Sequence, residues 1–281
     1  MLARPDSSRL LMPLRQALAV AFVALALAAC DKSEPPYVER PVEDLYNGAM
    51  NAVAANNWEA AARGFDEVER QHPYSVWATK AQVMAAYAYY QKNNYTEAVS
   101  AAQRFLQLHP GNKDAPYVYY LIGLCYYEQI TDVGRDQKIT QQALAALEEV
   151  VRRYPSSEYA RDARLKIDLT RDHLAGKEMT IGRYYLRQGL YIAAINRFRA
   201  VIENYQTTTH VPEALHRLTE AYLSLGVLSE AQNVAAVLGY NYPGSEWYAD
   251  TYSLLTGQKV ASGDSPKEGE GWFGRTWRSI F

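Results

Sequence analysis

From Lys177 to Tyr205 the chain reads KEMTIGRYYLRQGLYIAAINRFRAVIENY, two apolar-periodic runs that meet at Gln188-Gly189. Ile181, Gly182 and Tyr185 mark the first run; Ala194, Phe198, Val201 and Ile202 mark the second. Spacings of three and four predict two helices, and the glycine between them predicts a tight antiparallel turn. A lone hairpin cannot bury both of its apolar stripes, so it requires neighbours of the same kind. The pattern indeed recurs. A lead residue is followed by a small residue at +3, a core residue at +7 and a turn residue at +15. The sets are Trp58, Ala61, Phe65, Pro73; Tyr95, Ala98, Ala102, Pro110; Thr140, Ala143, Leu147, Pro155; Tyr191, Ala194, Phe198, Gln206; and Leu228, Ala231, Ala235, Pro243. Before the regular copies another helical run carries a small residue twelve positions ahead of the alanine, at Ala49, Ala86 and Gly182.

Small residues let helices approach closely, and a proline cannot continue a helix. The pattern resembles the 34-residue tetratricopeptide repeat. It predicts an all-α fold, a right-handed tetratricopeptide-repeat superhelix of about five helical hairpins from Val42 to Thr256. Two intervals are long. From Pro110 to Ala143 there are 33 residues where the regular copies have 25, so eight extra fall around Gln129–Lys138, a polar stretch that reads as a longer loop. From Pro155 to Ala194 there are 39, and these fourteen extra keep helical spacing, so they lengthen a helix or add one. The expected division is residues 42–157 as one half and 158–256 as the other.

The ends of the chain read differently. Three arginines, an apolar run of about a dozen residues and then Leu27-Ala28-Ala29-Cys30 make residues 1–29 a secretory signal peptide, the run being shorter than the ~20 residues a span needs. The last four residues of that stretch resemble the lipobox of bacterial lipoproteins, which implies a lipid on Cys30. Asp31 beside it resembles an inner-membrane retention signal of enteric bacteria, so the residues leave open which membrane holds the anchor. Residues 30–41, with prolines at 35, 36 and 41, then form a tether. Residues 257–281 are rich in Gly, Ser, Pro and charge, which predicts a disordered tail, and they end in Trp272-Phe273-Gly274-Arg275-Thr276-Trp277-Arg278-Ser279-Ile280-Phe281. Those aromatics could dock on the last helix of the array, touch lipid headgroups or a partner, or be inert.

Without residues 1–29, 26 basic and 30 acidic residues remain, which argues against nucleic acid as a partner. Cys125 lies in the apolar run LIGLCYY and reads as a buried residue, so no disulfide with Cys30 is expected. There is no HExxH, nucleotide-binding glycine loop or nucleophile elbow, so neither an enzyme nor a metal site is expected. His72 and His109 precede prolines at equivalent places and read as helix ends; Glu67, Glu69, Glu148 and Glu149 read as solvated charge. What remains is binding. The inward positions of the first helices hold Tyr46, Met50, Val83, Tyr87, Tyr90, Tyr117, Tyr120, Leu124 and Tyr127 in the first three copies. Half of these could be core between repeats; the others would line an aromatic groove suited to an extended peptide. The last two copies hold Met179, Arg183, Leu186, His216, Glu220 and Leu223, a more charged face suited to a folded protein.

The lipobox, the repeats and the segment GRYYLRQGLYIAAINRFRAVIENYQTTTHVPEALHRLTEAYLSLG together resemble the BamD (ComL) family of outer-membrane β-barrel assembly lipoproteins. Gly182, Tyr184, Tyr185, Tyr191, Ala193, Ala194, Arg197, Phe198, Tyr205 and Glu213-Ala214-Leu215 carry most of the resemblance. It implies a non-enzymatic subunit with no cofactor beyond the lipid on Cys30. Its partners would be the periplasmic POTRA domains of BamA, the C-terminal β-signal of unfolded outer-membrane proteins, and accessory lipoproteins of the complex. Substrate contact would fall to Tyr46, Tyr87, Tyr90, Tyr117, Tyr120 and Tyr127, and BamA contact to Arg183, Arg187, Arg197 and Tyr205. The localisation implied is the outer membrane, facing the periplasm. A secretin pilotin or a cell-envelope division factor is the alternative reading.

Overall fold

The computed structural model describes residues 38–257. The signal peptide, Cys30, most of the tether and the aromatic tail lie outside the described residues. Eleven α-helices and no strand occur within them. They form hairpins in sequence: α1 (Val42–Ala54) with α2 (Trp58–Gln71), α3 (Val76–Gln91) with α4 (Tyr95–Leu108), and α5 (Ala115–Tyr127) with α6 (Lys138–Arg153). Then come α7 (Glu158–Arg187) with α8 (Tyr191–Asn204), α9 (Val211–Ser224) with α10 (Leu228–Asn241), and a last helix α11 (Glu246–Thr256) against α9 and α10. The five-hairpin tetratricopeptide array is therefore present over the span that the residue pattern marked.

The small residues do what the spacing demanded. Ala61, Ala98, Ala143, Ala194 and Ala231 are all at zero exposure, so each second helix presses its small-residue face on a neighbour. Glycines mark the closest crossings within three hairpins. A Cβ on Gly64 would lie 2.8 Å from Ala49, one on Gly123 2.7 Å from Leu147, and one on Gly182 2.5 Å from the Phe198 ring. Each second helix ends on a half-buried ring, His72, His109, Tyr154, Tyr205 or Tyr242, whose backbone N–H still bonds to the helix. Three first helices begin alike: Ser75, Ser157 and Ser245 accept the N–H of Ala78, Ala160 and Tyr248, at 3.1, 3.1 and 3.2 Å. Such caps satisfy an orphan donor and contribute about 1 kcal/mol each. Two more, α5 and α9, begin with a proline in the first turn, Pro116 and Pro212.

Each first helix also touches the next first helix, from α1 through α11, and among the described residues the second helices show no comparable pairing. The first helices are therefore the crowded, inner layer of the array.

Both long intervals resolve into one joint. The eight extra residues form the loop 128–137 between α5 and α6, and the fourteen lengthen α7 to 30 residues. Fourteen residues are close to four turns, so the added helix advances the chain by about 21 Å while nearly preserving its apolar face. The two additions pack on each other. Lys177 Nζ donates to the carbonyls of Gly134 and Arg135 at 2.9 and 3.3 Å, and Gly176 is bare enough for Val133 and His210 to approach. From the other side, Thr209 donates through its N–H and hydroxyl to Asp172, at 3.0 and 2.7 Å. The start of α7 (Ala160, Ala163, Ile167) shares a core with Leu147 and Val150, whereas Ala175 and Met179 belong to the core of α8 to α11. The packing thus changes hands inside α7, beyond the division drawn at residue 157. Despite its length, no helix among the described residues is long and apolar enough to cross a membrane.

The close crossing at Gly182 gives a test. Ala in place of Gly ordinarily stabilises a helix interior by about 0.5–1 kcal/mol, as Gly48→Ala on the open face of α1 should do, since nothing lies within 4 Å of its Cβ. Gly182→Ala should instead destabilise by about 1–3 kcal/mol, because the buried Phe198 ring must be displaced. Urea unfolding of the two variants should move the midpoint in opposite directions.

Candidate functional site

The tyrosines of the first helices fall into two groups. Tyr46 on α1 is wedged between Phe65, at 5.5 Å between ring centroids, and Trp77, at 4.7 Å. It packs against the core of the first hairpins and is half-buried. The others make a continuous strip across α3, α5 and the start of α7. Tyr87 stands edge-on to Trp58 at 5.8 Å, and Tyr90 meets Tyr95 at 6.0 Å. Tyr117 and Tyr120 both pack on Tyr159, at 5.5 and 5.6 Å. The Tyr120 hydroxyl donates to Asp162, and Lys166 Nζ lies 4.8 Å above the Tyr127 ring while reaching Asp162 at 3.6 Å. All five of these tyrosines are half-buried, with part of each ring open to solvent.

The phenols are held neutral. Burial, with the carboxylate of Glu128 nearby, pushes Tyr90 up to about 12. Burial also raises Tyr117, together with the field of the neighbouring Tyr87, and raises Tyr120, whose hydrogen bond to Asp162 adds to it. None of the three ionises near neutral pH. The strip therefore offers apolar rings and hydroxyl groups without charge, with Asp162, Lys166 and Glu128 at its border. That chemistry accepts an extended chain by stacking on its aromatic side chains and hydrogen bonding to its backbone.

Tyr159, Asp162 and Lys166 had not been singled out from the sequence. A signal was available. The motif proline-x-serine-x-aromatic recurs at Pro73-Tyr74-Ser75-Val76-Trp77, Pro155-Ser156-Ser157-Glu158-Tyr159 and Pro243-Gly244-Ser245-Glu246-Trp247. In each case the serine caps the helix and the aromatic residue stacks on a ring of the preceding first helix: Tyr46, Tyr117 with Tyr120, and His216 at 5.3 Å.

In the second half the arginines are committed elsewhere. Arg183 holds Glu213 on α9 through two hydrogen bonds of 2.8 and 2.5 Å. Burial works against the charge on Glu213, but Arg183, helped by Arg217, keeps its carboxyl below the usual glutamate range. Arg197 ties α8 to Glu178 on α7 at 3.0 Å. Tyr205 is the helix-end ring of α8, packed on the C-terminal core. Each of these three links elements of the array while remaining partly exposed. Arg187 is exposed at the end of α7 and has no ion-pair partner among the described residues. Two carboxylates expected to be solvated are clamps as well, Glu69 to Arg104 at 2.9 Å and Glu148 to Arg171 at 2.7 Å. Cys125 is a free, fully buried thiol that burial pushes up to about 12, as its apolar surroundings implied.

The second half carries clusters of exposed apolar side chains at two of its hairpin tips. The turns between paired helices need a left-handed residue, and Asn56, Asn93, Gly189 and Gly226 supply it with φ of 54°, 63°, 71° and 76°. The first two tips are polar, Asn56-Asn57 and Asn93-Asn94. The last two are flanked by Tyr184, Leu190 and Ile192, at 53%, 53% and 69% exposure, and by Leu225, Val227 and Leu228. Clustered exposed apolar side chains mark an interaction surface.

The family model described as an outer membrane lipoprotein, YfiO, matches residues 38–238. A Caulobacter vibrioides protein named outer membrane protein assembly factor BamD is 55% identical over 85% of this chain and 79% of its own length. Its namesake from Rickettsia prowazekii is 43% identical over 84% of this chain and 95% of its own. The one from Neisseria meningitidis serogroup A is 34% identical over 83% and 93%. With one family model covering most of the array and relatives matching more than four-fifths of the chain, the chain belongs to the YfiO (BamD) family of outer membrane lipoproteins.

Proposed function

We propose that this chain is a lipid-anchored assembly factor for outer-membrane β-barrel proteins, a subunit of the BAM complex without enzymatic activity. The lipid on Cys30 holds it at the outer membrane with the array in the periplasm. The strip of Tyr87, Tyr90, Tyr117, Tyr120 and Tyr127 receives the β-signal of an unfolded outer-membrane protein. The apolar tips at Gly189 and Gly226 dock on the POTRA domains of BamA, with Arg187 at their border. Accessory lipoproteins of the complex are further partners. The observation that carries this reading is the division of labour along one array: half-open phenols on the first helices of the N-terminal half, and clusters of three exposed apolar side chains at each of two tips of the C-terminal half. β-signals are extended and aromatic, and the phenol strip suits them. A folded domain needs a desolvated apolar contact, which the tips provide.

Two double variants separate the surfaces. Tyr87→Ala with Tyr120→Ala should weaken crosslinking to a β-signal peptide by about tenfold, in keeping with the loss of two aromatic contacts, and should leave BamA in the pull-down. Tyr120→Phe, which keeps the ring, controls for the lost bond to Asp162. Unchanged crosslinking would remove the strip from the substrate path. Ile192→Asp with Leu228→Asp should release BamA and spare the β-signal crosslink. Recovery of a secretin in place of BamA would favour the pilotin reading.

The anchor has its own measurement. Cys30→Ser should shift the protein from the membrane pellet to the soluble periplasmic fraction, since stable attachment takes at least two acyl chains. Density-gradient separation of wild-type envelopes should place it with the outer membrane despite Asp31. Recovery with the inner membrane would reverse that assignment.

A further inference from the structure

Two clefts on the outer layer occupy the same place in different repeats, and they differ in chemistry. One lies between α2 and α4 and has a volume of about 650 Å³; the other lies between α8 and α10, with about 300 Å³. Phe65 corresponds to Phe198 and Ala98 to Ala231 in the repeat register, so the linings can be compared residue by residue. In the first cleft Glu69 and Arg104 form an ion pair of 2.9 Å across the two helices, and the Tyr89 hydroxyl donates to Asp66. In the second, Ile202 stands where Glu69 does and Val237 where Arg104 does. Val234 replaces Ala101, and Arg199 replaces Asp66 beneath Tyr222. The first cleft, though larger, is spanned by its own polar bridges. The second has lost both bridges and has an apolar floor of Leu215 and Leu218, with Val237 46% exposed at its lip. Its rim is acidic, formed by Glu230 and by Glu203, the latter in an exposed pair with Arg199 at 3.2 Å. Such an exposed pair is weak and readily exchanged.

The chain itself carries a segment of complementary chemistry. Phe273, Trp277, Ile280 and Phe281 recur at helical spacing, and Arg275 and Arg278 lie between them. The segment is within reach. The array ends at Gly257, on α11, which packs against α10, one wall of the cleft. Residues 258–271 can span up to ~45 Å at about 3.3 Å per residue, whereas neighbouring helices are separated by about 10 Å. We propose that the segment Trp272–Phe281 seats its aromatic side chains in the cleft between α8 and α10, with Arg275 and Arg278 against Glu203 and Glu230. The occupant is this chain's own C-terminal segment, which covers an apolar site whose counterpart in the N-terminal half is spanned by an ion pair.

The test uses the full-length lipoprotein purified in detergent, with a photoreactive benzoylphenylalanine in place of Val237. Irradiation should give a crosslink within one chain to a peptide from 272–281, at monomer mass. The same probe at Arg104, in the polar cleft, should give none. Arg275→Glu with Arg278→Glu should lower the yield about fivefold, as two weak surface pairs would, and adding Glu203→Arg with Glu230→Arg should restore it. Crosslinks to a second copy, equal yields from positions 237 and 104, or no crosslink to 272–281 would each overturn the proposal. Because BamA and substrate are absent from the experiment, either result leaves the proposed assembly function to its own tests.

Discussion

A helical hairpin of this kind has two apolar faces and can bury only one by itself, so every element of the array depends on the contact with the next. The depth of that contact is set by its smallest residues. Ala61, Ala98, Ala143, Ala194 and Ala231 are closed off from solvent because larger groups would hold the helices apart. Gly182 allows the Phe198 ring to rest directly on the backbone of α7. The inner layer of first helices, the strip of phenols they carry and the clefts between second helices are all consequences of that stacking. None of these surfaces exists on a hairpin alone.

Much of this was legible in the sequence because it is periodic. A small residue every repeat, a core residue four positions later and, in four copies of five, a proline after the helix are local rules, and local rules can be read without knowing the neighbours. The two long intervals were legible as lengths. That they fold onto each other was not, since nothing local couples Lys177 to the carbonyls of 134 and 135. The internal pairing of Arg183 was hidden for the same reason. Arg183 looks free until α9 brings Glu213 to it, thirty residues on. The aromatic residue after each capping serine was available and carried its message openly: it stacks on the previous repeat wherever it occurs.

The phenols show how packing tunes a surface. Half-burial alone costs a phenolate its hydration, so Tyr90, Tyr117 and Tyr120 stay protonated well above neutral pH. The strip therefore keeps the same hydrogen-bonding character across the range of acidity that an envelope protein meets. Charge is confined to the border residues Glu128, Asp162 and Lys166.

The loop 128–137 and the lengthened α7 also bear on how such a chain changes over time. Removing four turns from α7 would restore a standard repeat length but leave the loop without Lys177 and Gly176, the residues it rests on. Removing the loop alone would uncover the middle of a helix shared by two cores. The two length changes are therefore one heritable unit: a descendant that loses either is expected to lose the other, and their joint presence or absence should sort relatives more cleanly than any single residue in the array.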